Sequence, residues 1–318
     1  MDSRQLRYFA AICDHGSLSS AAKAERVAVS ALSYHLANLE GELGLSLFER
    51  KPRGLAPTAA GLRLLSHARA VSRAIEAAGP DVRAAVGEPV GEVSIGMAFS
   101  AVKAIGVELA RRTLSDFPRL RLQLTESLSG ATFAHLMAAD VELALVYNPP
   151  SAPGLVSRPV LEERMVLLGR PELVGETETP ITAEELLEMP LILLRQGVSA
   201  RALMEDDALR KRLEARARLQ MNSVQAIEGA LMAGLGVAIG TRLFMRERVA
   251  EGAMALRPIV APELTRRLHL CEMETRPATI AREAIRALVL ELIADAVGAG
   301  AWAARMVDQP AGGQPSTK

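Results

Sequence analysis

The sequence predicts two folds in one chain: an all-α N-terminal head that runs on into one long helix, and a larger α/β domain made of two successive units. Three observations predict it. Leu6, Phe9, Ala10 and Cys13, and later Val29, Leu32, Leu36, Leu39 and Leu43, recur at the steps that line one face of a helix. Leu64, Ala68, Val71, Ile75, Ala78, Val82 and Ala85 alternate steps of four and three without a break, which is a heptad seam. Beyond Val93, short period-two runs alternate with helical stretches, the pattern of βαβ units around a largely parallel sheet.

The bulk numbers bound the function. A chain of 318 residues is too long for one ordinary core. With 49 % hydrophobic and 23 % charged residues it is a folded, soluble composition rather than a disordered one. Lys+Arg and Asp+Glu balance at 37 each, so any surface for nucleic acid has to be local. Cys13 and Cys271 stand far apart, which argues against a disulfide framework and fits a reducing cytoplasm. Residues 1–15 lack the apolar core of a signal peptide, and the weakly polar run from Gly229 to Gly240 is too short to span a bilayer. A cytoplasmic protein without a membrane segment is expected.

Taken in order, residues 4–14 form the first helix, stopped by His15-Gly16. Ser17 or Ser19 caps a second, from Leu18 to about Glu25. After the turn Arg26-Val27-Ala28, a third runs from Val29 to about Glu42 and stops at Gly44. Leu47 to Arg50 is a short strand entering the loop Lys51-Pro52-Arg53-Gly54, and Pro57-Thr58 opens the long helix. Its apolar seam is too narrow for a helix on its own domain and suits a partner helix, although packing within the domain is the plainer alternative. Gly79-Pro80 should kink or end it.

The α/β part begins after a linker at Gly87-Glu88-Pro89. Strands are expected at 93–97, 120–124, 141–147, 165–168, 191–194, 219–221, 237–239 and 267–271. Helices are expected at about 101–115, 130–139, 199–214, 223–232 and 277–297, with a capping box at Thr182-x-x-Glu185. Residues 303–318 read as a disordered tail.

Function is concentrated between Ser17 and Arg50. Ala21, Ala22 and Ala24 let two helices meet closely, as a helix-turn-helix requires, while Ser30, Ser33, Tyr34, Ala37 and Asn38 lie opposite the leucine stripe of the third helix. Short side chains at its start allow the backbone near the bases; longer ones reach base edges or phosphates. Arg50, Lys51 and Arg53 make a compact basic wing for phosphate or the minor groove. Each feature alone is more simply a polar helix face or a solvated loop tip; their order and spacing together are not.

The motifs Leu6-Arg7-Tyr8-Phe9, Gly16-Ser17-Leu18 with Ala21-Ala22, Ala31-Leu32-Ser33, Leu39-Glu40, Glu42-Leu43-Gly44 and Leu47-Phe48-Glu49-Arg50 resemble the N-terminal signature of LysR-type transcriptional regulators. Thr58 with Ala60-Gly61 resembles the start of that family's linker helix. Weaker similarity covers Asp116-Phe117-Pro118 and Met232 to Ala238, and the nitrogen-assimilation-control branch is most similar at Ser94-Ile95-Gly96 and Ala144 to Tyr147. Val29, Tyr34 and Pro80 depart from the family pattern; with Tyr34 there, a bidentate guanine contact from that position is unavailable.

The resemblance implies an all-α winged helix-turn-helix head over 1–60, a linker (dimerisation) helix over 61–88 and an α/β periplasmic-binding-protein-like effector domain over 89–300. Its subdomain I would be 91–161 with 266–300, its subdomain II 162–265, and the tail 301–318. DNA would be met by Ser30, Ser33, Tyr34, His35, Asn38, Arg50, Lys51, Arg53 and Thr58. An effector, expected to be a small organic anion acting as co-inducer, would be met by Ser100, Ala101, Ser129, Tyr147, Gln196 and Asn222, at the carboxyl ends of strands. For Ser100 and Ser129 ordinary N-capping is the competing role. The implied partners are double-stranded DNA, RNA polymerase and a second chain through the linker helix, giving a homodimer and then a homotetramer that activates or represses. No resident cofactor, metal or catalytic residue is expected. The five histidines are dispersed, and Gly234-x-Gly236-x-x-x-Gly240 precedes a strand rather than following one, the reverse of a dinucleotide loop. The alternative function is an architectural DNA-binding protein with a ligand-independent C-terminal domain.

Overall fold

The computed structural model describes residues 1–52, 54–84, 88–194, 207–276 and 278–307. In the head, α1 (Ser3–His15) starts at a capping box between Asp2 and Gln5 and stops at Gly16, whose φ of 67° is left-handed. Ser17 caps α2 (Leu18–Glu25) by accepting from the Ser20 amide. α3 (Val29–Leu43) buries Leu32 and Leu39, while Val29 and Leu43 at the ends of the stripe stay exposed. Ile12, Ala21, Ala22 and Leu32 form one half of the head core, and Phe9, Leu39, Leu47 and Ala68 the other.

β1 (Phe48–Lys51) and β2 (Gly54–Pro57) pair antiparallel as the wing; β2 was not expected as a strand. The wing is tied to the helical body where the Leu55 amide donates to the Gly16 carbonyl at 2.7 Å. A Cβ on Gly54, whose φ is 130°, would stand 2.4 Å from that carbonyl oxygen.

α4 (Ala59–Ala84) is the long helix, and it continues through Pro80 rather than ending at Gly79-Pro80. Proline deletes one helical hydrogen bond, but here it falls near the end of the helix. The final turns are anchored from outside, with Asp81 Oδ1 accepting from the Ile280 amide at 2.8 Å.

The rest of the described chain is one α/β body. β3 (Gly91–Ala98) leads into a continuous helical stretch: α5 (Phe99–Ala101), a π turn (Val102–Gly106) and α6 (Val107–Asp116). β4 (Leu120–Ser127), α7 (Ser129–Met137) and β5 (Leu143–Tyr147) follow. β6 (Leu155–Gly169) is a single long strand. Then come α8 (Pro171–Val174), β7 (Ile181–Thr182), α9 (Ala183–Leu186) and β8 (Ile192–Leu194). α10 (Asp207–Arg216), β9 (Leu219–Met221), α11 (Val224–Met232) and β10 (Ala238–Thr241) complete the second unit. The chain returns through α12 (Arg246–Ala250), β11 (Ala255–Val260), β12 (Thr265–Met273), α13 (Ile280–Gly298) and β13 (Ala304–Met306).

The main sheet runs β4-β3-β5-β12-β6-β11-β7, with β10 and β13 also on β6. β3 lies parallel to β4 and β5, but the sheet is mixed rather than largely parallel. β12 runs antiparallel to β5 and β6, and β10, β11 and β13 run antiparallel to β6, because the later strands gather on one long strand. The passage between subdomains, expected near 161, is made within a strand. It lies inside β6, whose first part pairs with β12 and whose last residues pair with β10 and β11. Val160 and Leu161 belong to the first core, and Met165 to Leu168 to the second subdomain's cores.

The first residues of the expected tail are built into the fold. Trp302 is fully buried, β13 pairs with β6, and Arg305 Nη2 reaches Glu162 Oε1 at 2.6 Å. One large aromatic and one charge pair anchor a segment that composition marks as weakly ordered. Residues 308–318 of that expected tail lie outside the described residues.

Candidate DNA-binding face and effector cleft

On α3 the burial of Leu32 and Leu39 fixes which side faces out. Ser30, Ser33, Asn38 and Tyr34 are exposed, Tyr34 at 65 %. His35 is half-buried, with its ring edge-on to Tyr8 at 5.2 Å and to Tyr34 at 5.9 Å, so it braces the helix as well as bordering the exposed face. No side chain caps the first turn of α3. Its amides are therefore available to an outside acceptor.

Arg50 and Lys51 are exposed on the wing, where Lys51 pairs weakly with Glu49 at 2.9 Å. Arg53 lies outside the described residues. Thr58 is engaged inside the head: its hydroxyl donates to the Ser46 carbonyl at 2.9 Å and accepts from the Gly61 amide at 3.1 Å, capping α4.

The second candidate site is the cleft between subdomains. Phe99, Ser100 and Ser129 line one side, Thr241 and Phe244 the other, and Tyr147 and Arg266 the floor. The cleft encloses about 90 Å³. Lys103 of the first subdomain donates across its edge to the Phe244 carbonyl at 3.0 Å and to Glu247 at 2.7 Å.

Its floor is a buried polar cluster. Arg266 is only 8 % exposed. It donates through Nε to Glu163 Oε1 and through Nη2 to Ser100 Oγ, each at 2.7 Å. Its guanidinium lies 3.6 Å from the centre of the Tyr147 ring. Glu163 Oε2 accepts from the Trp302 indole at 3.0 Å, so both carboxylate oxygens are used. The buried hydroxyls of Tyr147 and Thr241 have no hydrogen-bond partner among the described residues. Burial, then the charge of Glu163, pushes the Tyr147 phenol well above its ordinary value, so it stays a donor.

Ser129 Oγ accepts from the Tyr147 amide at 3.2 Å. Neither Ser100 nor Ser129 is an N-cap: Ala98 and Leu128 hold those positions without a side-chain cap. Ala101 is fully buried among Ile95, Ile105 and Leu109, which takes it out of the cleft lining. Asn222 is exposed and borders a neighbouring opening with Ser127 and Ser223. Gln196 lies outside the described residues. Arg266, Glu163, Thr241 and Trp302 escaped sequence reasoning. Charges in strands are ordinarily solvent-facing, and nothing local marks these as meeting at one point.

Neither cysteine has the look of a reactive thiol: burial pushes Cys13 up to about 12 and Cys271 up to about 11. Among the described residues there is no cluster of three or more His, Cys, Asp or Glu able to hold a metal, and no helix is long and apolar enough to cross a membrane.

Comparison with known proteins bears on both sites. The model for the bacterial regulatory helix-turn-helix protein, lysR family, matches residues 3–62, and that for the LysR substrate binding domain matches residues 87–294. The nitrogen assimilation regulatory protein nac of Klebsiella aerogenes is 32 % identical over 297 residues, covering 92 % of this chain and 95 % of that protein. Among solved structures, a full-length OxyR variant from Pseudomonas aeruginosa superposes with a TM-score of 0.66 at 18 % identity, covering 92 % of this chain and 95 % of that one. ArgP from Mycobacterium tuberculosis gives 0.66 at 19 % identity, over 92 % and 97 %. Full-length CbnR complexed with its target DNA gives 0.58 at 23 % identity, over 93 % and 99 %. A head and a C-terminal domain matched by the two models, and a Nac relative matched almost end to end, show that the chain belongs to the LysR family of DNA-binding transcriptional regulators with an effector-binding domain, in its Nac-like branch.

Proposed function

We propose that this regulator inserts the exposed face of α3 into the major groove, with Ser30, Ser33, Tyr34 and Asn38 toward the bases. The observation that carries this is the sidedness of α3: Leu32 and Leu39 fully buried, the polar side exposed, the basic wing beside it. The uncapped first turn of α3 offers amides to a phosphate, and Arg50 and Lys51 do the same from the wing.

The active unit is a homodimer through α4, acting in the cytoplasm. Val71, Ile75, Ala78 and Val82 of the heptad seam are not buried in the single chain, which leaves that stripe for the same stripe of a second copy. Two dimers join as a homotetramer, and the DNA-bound assembly engages RNA polymerase. The chain carries out no catalysis.

The cleft takes a small organic acid. The helices opening at Phe99 and Ser129 start in its lining without side-chain caps, and the Tyr147 phenol and Thr241 hydroxyl supply donors. Because Glu163 already balances Arg266, the cleft favours a single carboxylate on a compact apolar body over a highly charged anion. A thermal-shift screen of organic monoacids and diacids tests this. Monoacids should raise the melting temperature, and Ser100→Ala or Tyr147→Phe should remove most of the rise. A shift produced only by diacids, or left intact by both substitutions, contradicts it. Hits that change the DNA footprint argue against an architectural role.

A further inference from the structure

One guanidinium touches three parts of the molecule. Arg69 stands on α4, on the side turned away from the heptad seam. Its Nη2 donates to Asp14 Oδ1 at 2.6 Å, on the last turn of α1 in the head. Its Nη1 donates to Asp140 of the sensing domain. Asp140 is itself fixed: its amide donates to the His135 carbonyl at 2.8 Å, and its Oδ2 lies 3.0 Å from His135 Nδ1. The preceding residue, Ala139, has a φ of 59°, a left-handed turn that redirects the chain at the end of α7.

α7 gives this contact its meaning. Its first residue, Ser129, lines the cleft and accepts from the Tyr147 amide, whereas near its other end His135 braces Asp140, which lies just past the helix and holds Arg69. A helix of 9 residues is a stiff rod about 13 Å long. The cleft, Asp140, Arg69 and the head are therefore in mechanical series. Lower down α4, the Asp81 bond to Ile280 gives a second fastening to the same domain, so Arg69 governs the end nearer the DNA.

We propose that Arg69 is a positioning residue for DNA recognition: it sets the angle of the head on the sensing domain, and so the spacing of the two half-sites a dimer accepts, without touching DNA. Half-site spacing follows from the geometry that holds two recognition helices apart. A head released from Asp140 swings together with the start of α4, to which Ala68 fixes it, against the sensing domain and accepts several spacings. This rests on the DNA-binding reading above, and the test separates the two.

The probe is a pool of duplexes carrying two copies of the half-site enriched by the wild-type protein, separated by spacers of graded length. Wild type, Arg69→Met, Asp140→Asn and Asp14→Asn are compared as full-length dimers, with melting curves recorded for each. Asp14 is half-exposed, so its variant keeps the test open should Arg69→Met fold poorly. The expected result is one preferred spacing for wild type and a loss of that preference by about tenfold in the variants. Affinity for an isolated half-site should stay unchanged, which a merely stabilising role for Arg69 would not give. Asp14→Asn combined with Asp140→Asn should do no more than Arg69→Met alone. Unaltered spacing preference in folded variants overturns the proposal while leaving DNA recognition standing. Failure of the wild type to enrich any half-site would instead remove the reading beneath it.

Discussion

Tyr34 is 65 % exposed on the α3 face opposite Leu32, and a phenol there reaches a base edge or a thymine methyl. Replacing it or Ser33 by alanine should change which sequences are enriched, at about 1–3 kcal/mol per altered base pairing. Arg50→Ala and Lys51→Ala should instead weaken binding to all sequences alike, and each should lower the salt slope by about one if it removes one neutralised phosphate. Salt titrations on several duplexes distinguish the two behaviours. Trp302 belongs to a different account. Trp302→Phe keeps the ring but leaves Glu163 one donor short beside Arg266, at a cost of about 1–3 kcal/mol. Trp302→Ala adds a cavity and should cost about 3–5 kcal/mol in denaturant unfolding.

His269 carries a pH dependence whose sign follows from its surroundings. Burial, then the charge of Arg267, holds its imidazole below the usual value of 6.5, and Ser157 Oγ lies 2.9 Å from Nδ1. The unfolded chain takes up a proton first, so stability falls as pH drops through 6.5 and levels off below the folded-state pKa. His269→Asn should flatten that part of the profile when unfolding is followed from about pH 7.5 downward.

At the scale of elements, α4 has two working sides. One carries Arg69 and Asp81 to its own sensing domain; the other leaves Val71, Ile75 and Val82 exposed. Ile75→Asp combined with Val71→Asp should weaken dimerisation on the order of a hundredfold or more, since each apolar side chain withdrawn from a seam forfeits about 1.5–3 kcal/mol. Sedimentation over a dilution series reads this directly. Gly61 shows why the family-like start of this helix is demanding: a Cβ there would stand 2.2 Å from the Leu47 carbonyl oxygen.

Elements fixed by near neighbours were legible in the sequence. Ser17, Gly16 and Gly44 mark helix ends through local hydrogen bonds and left-handed backbone, and the leucine stripe of α3 gives its buried side. Elements fixed by distant partners were not. The unbroken β6 depends on β12, β10, β11 and β13, all later in the chain. The order of residues 302–306 depends on Glu162 and Glu163, far earlier. In the same way the serines of the cleft could be expected from strand ends, whereas Arg266 and Thr241 reach it only because the sheet brings both subdomains together. Of the two outcomes expected at Pro80, the helix does not end there, because the local cost of proline says nothing of the Asp81 bond that holds the helix end.

Over the whole molecule, head, long helix and cleft act as one regulator only if the outward side of α3 reads DNA. The most direct measurement is selection of duplexes from a random pool by the full-length protein at moderate salt, repeated with Ser33→Ala and Tyr34→Ala together. The expected result is an enriched, partly palindromic motif for the wild type that is lost or altered by the double substitution, with melting temperature unchanged. Enrichment of no common sequence by well-folded wild-type protein, or the same motif from both proteins, would contradict it.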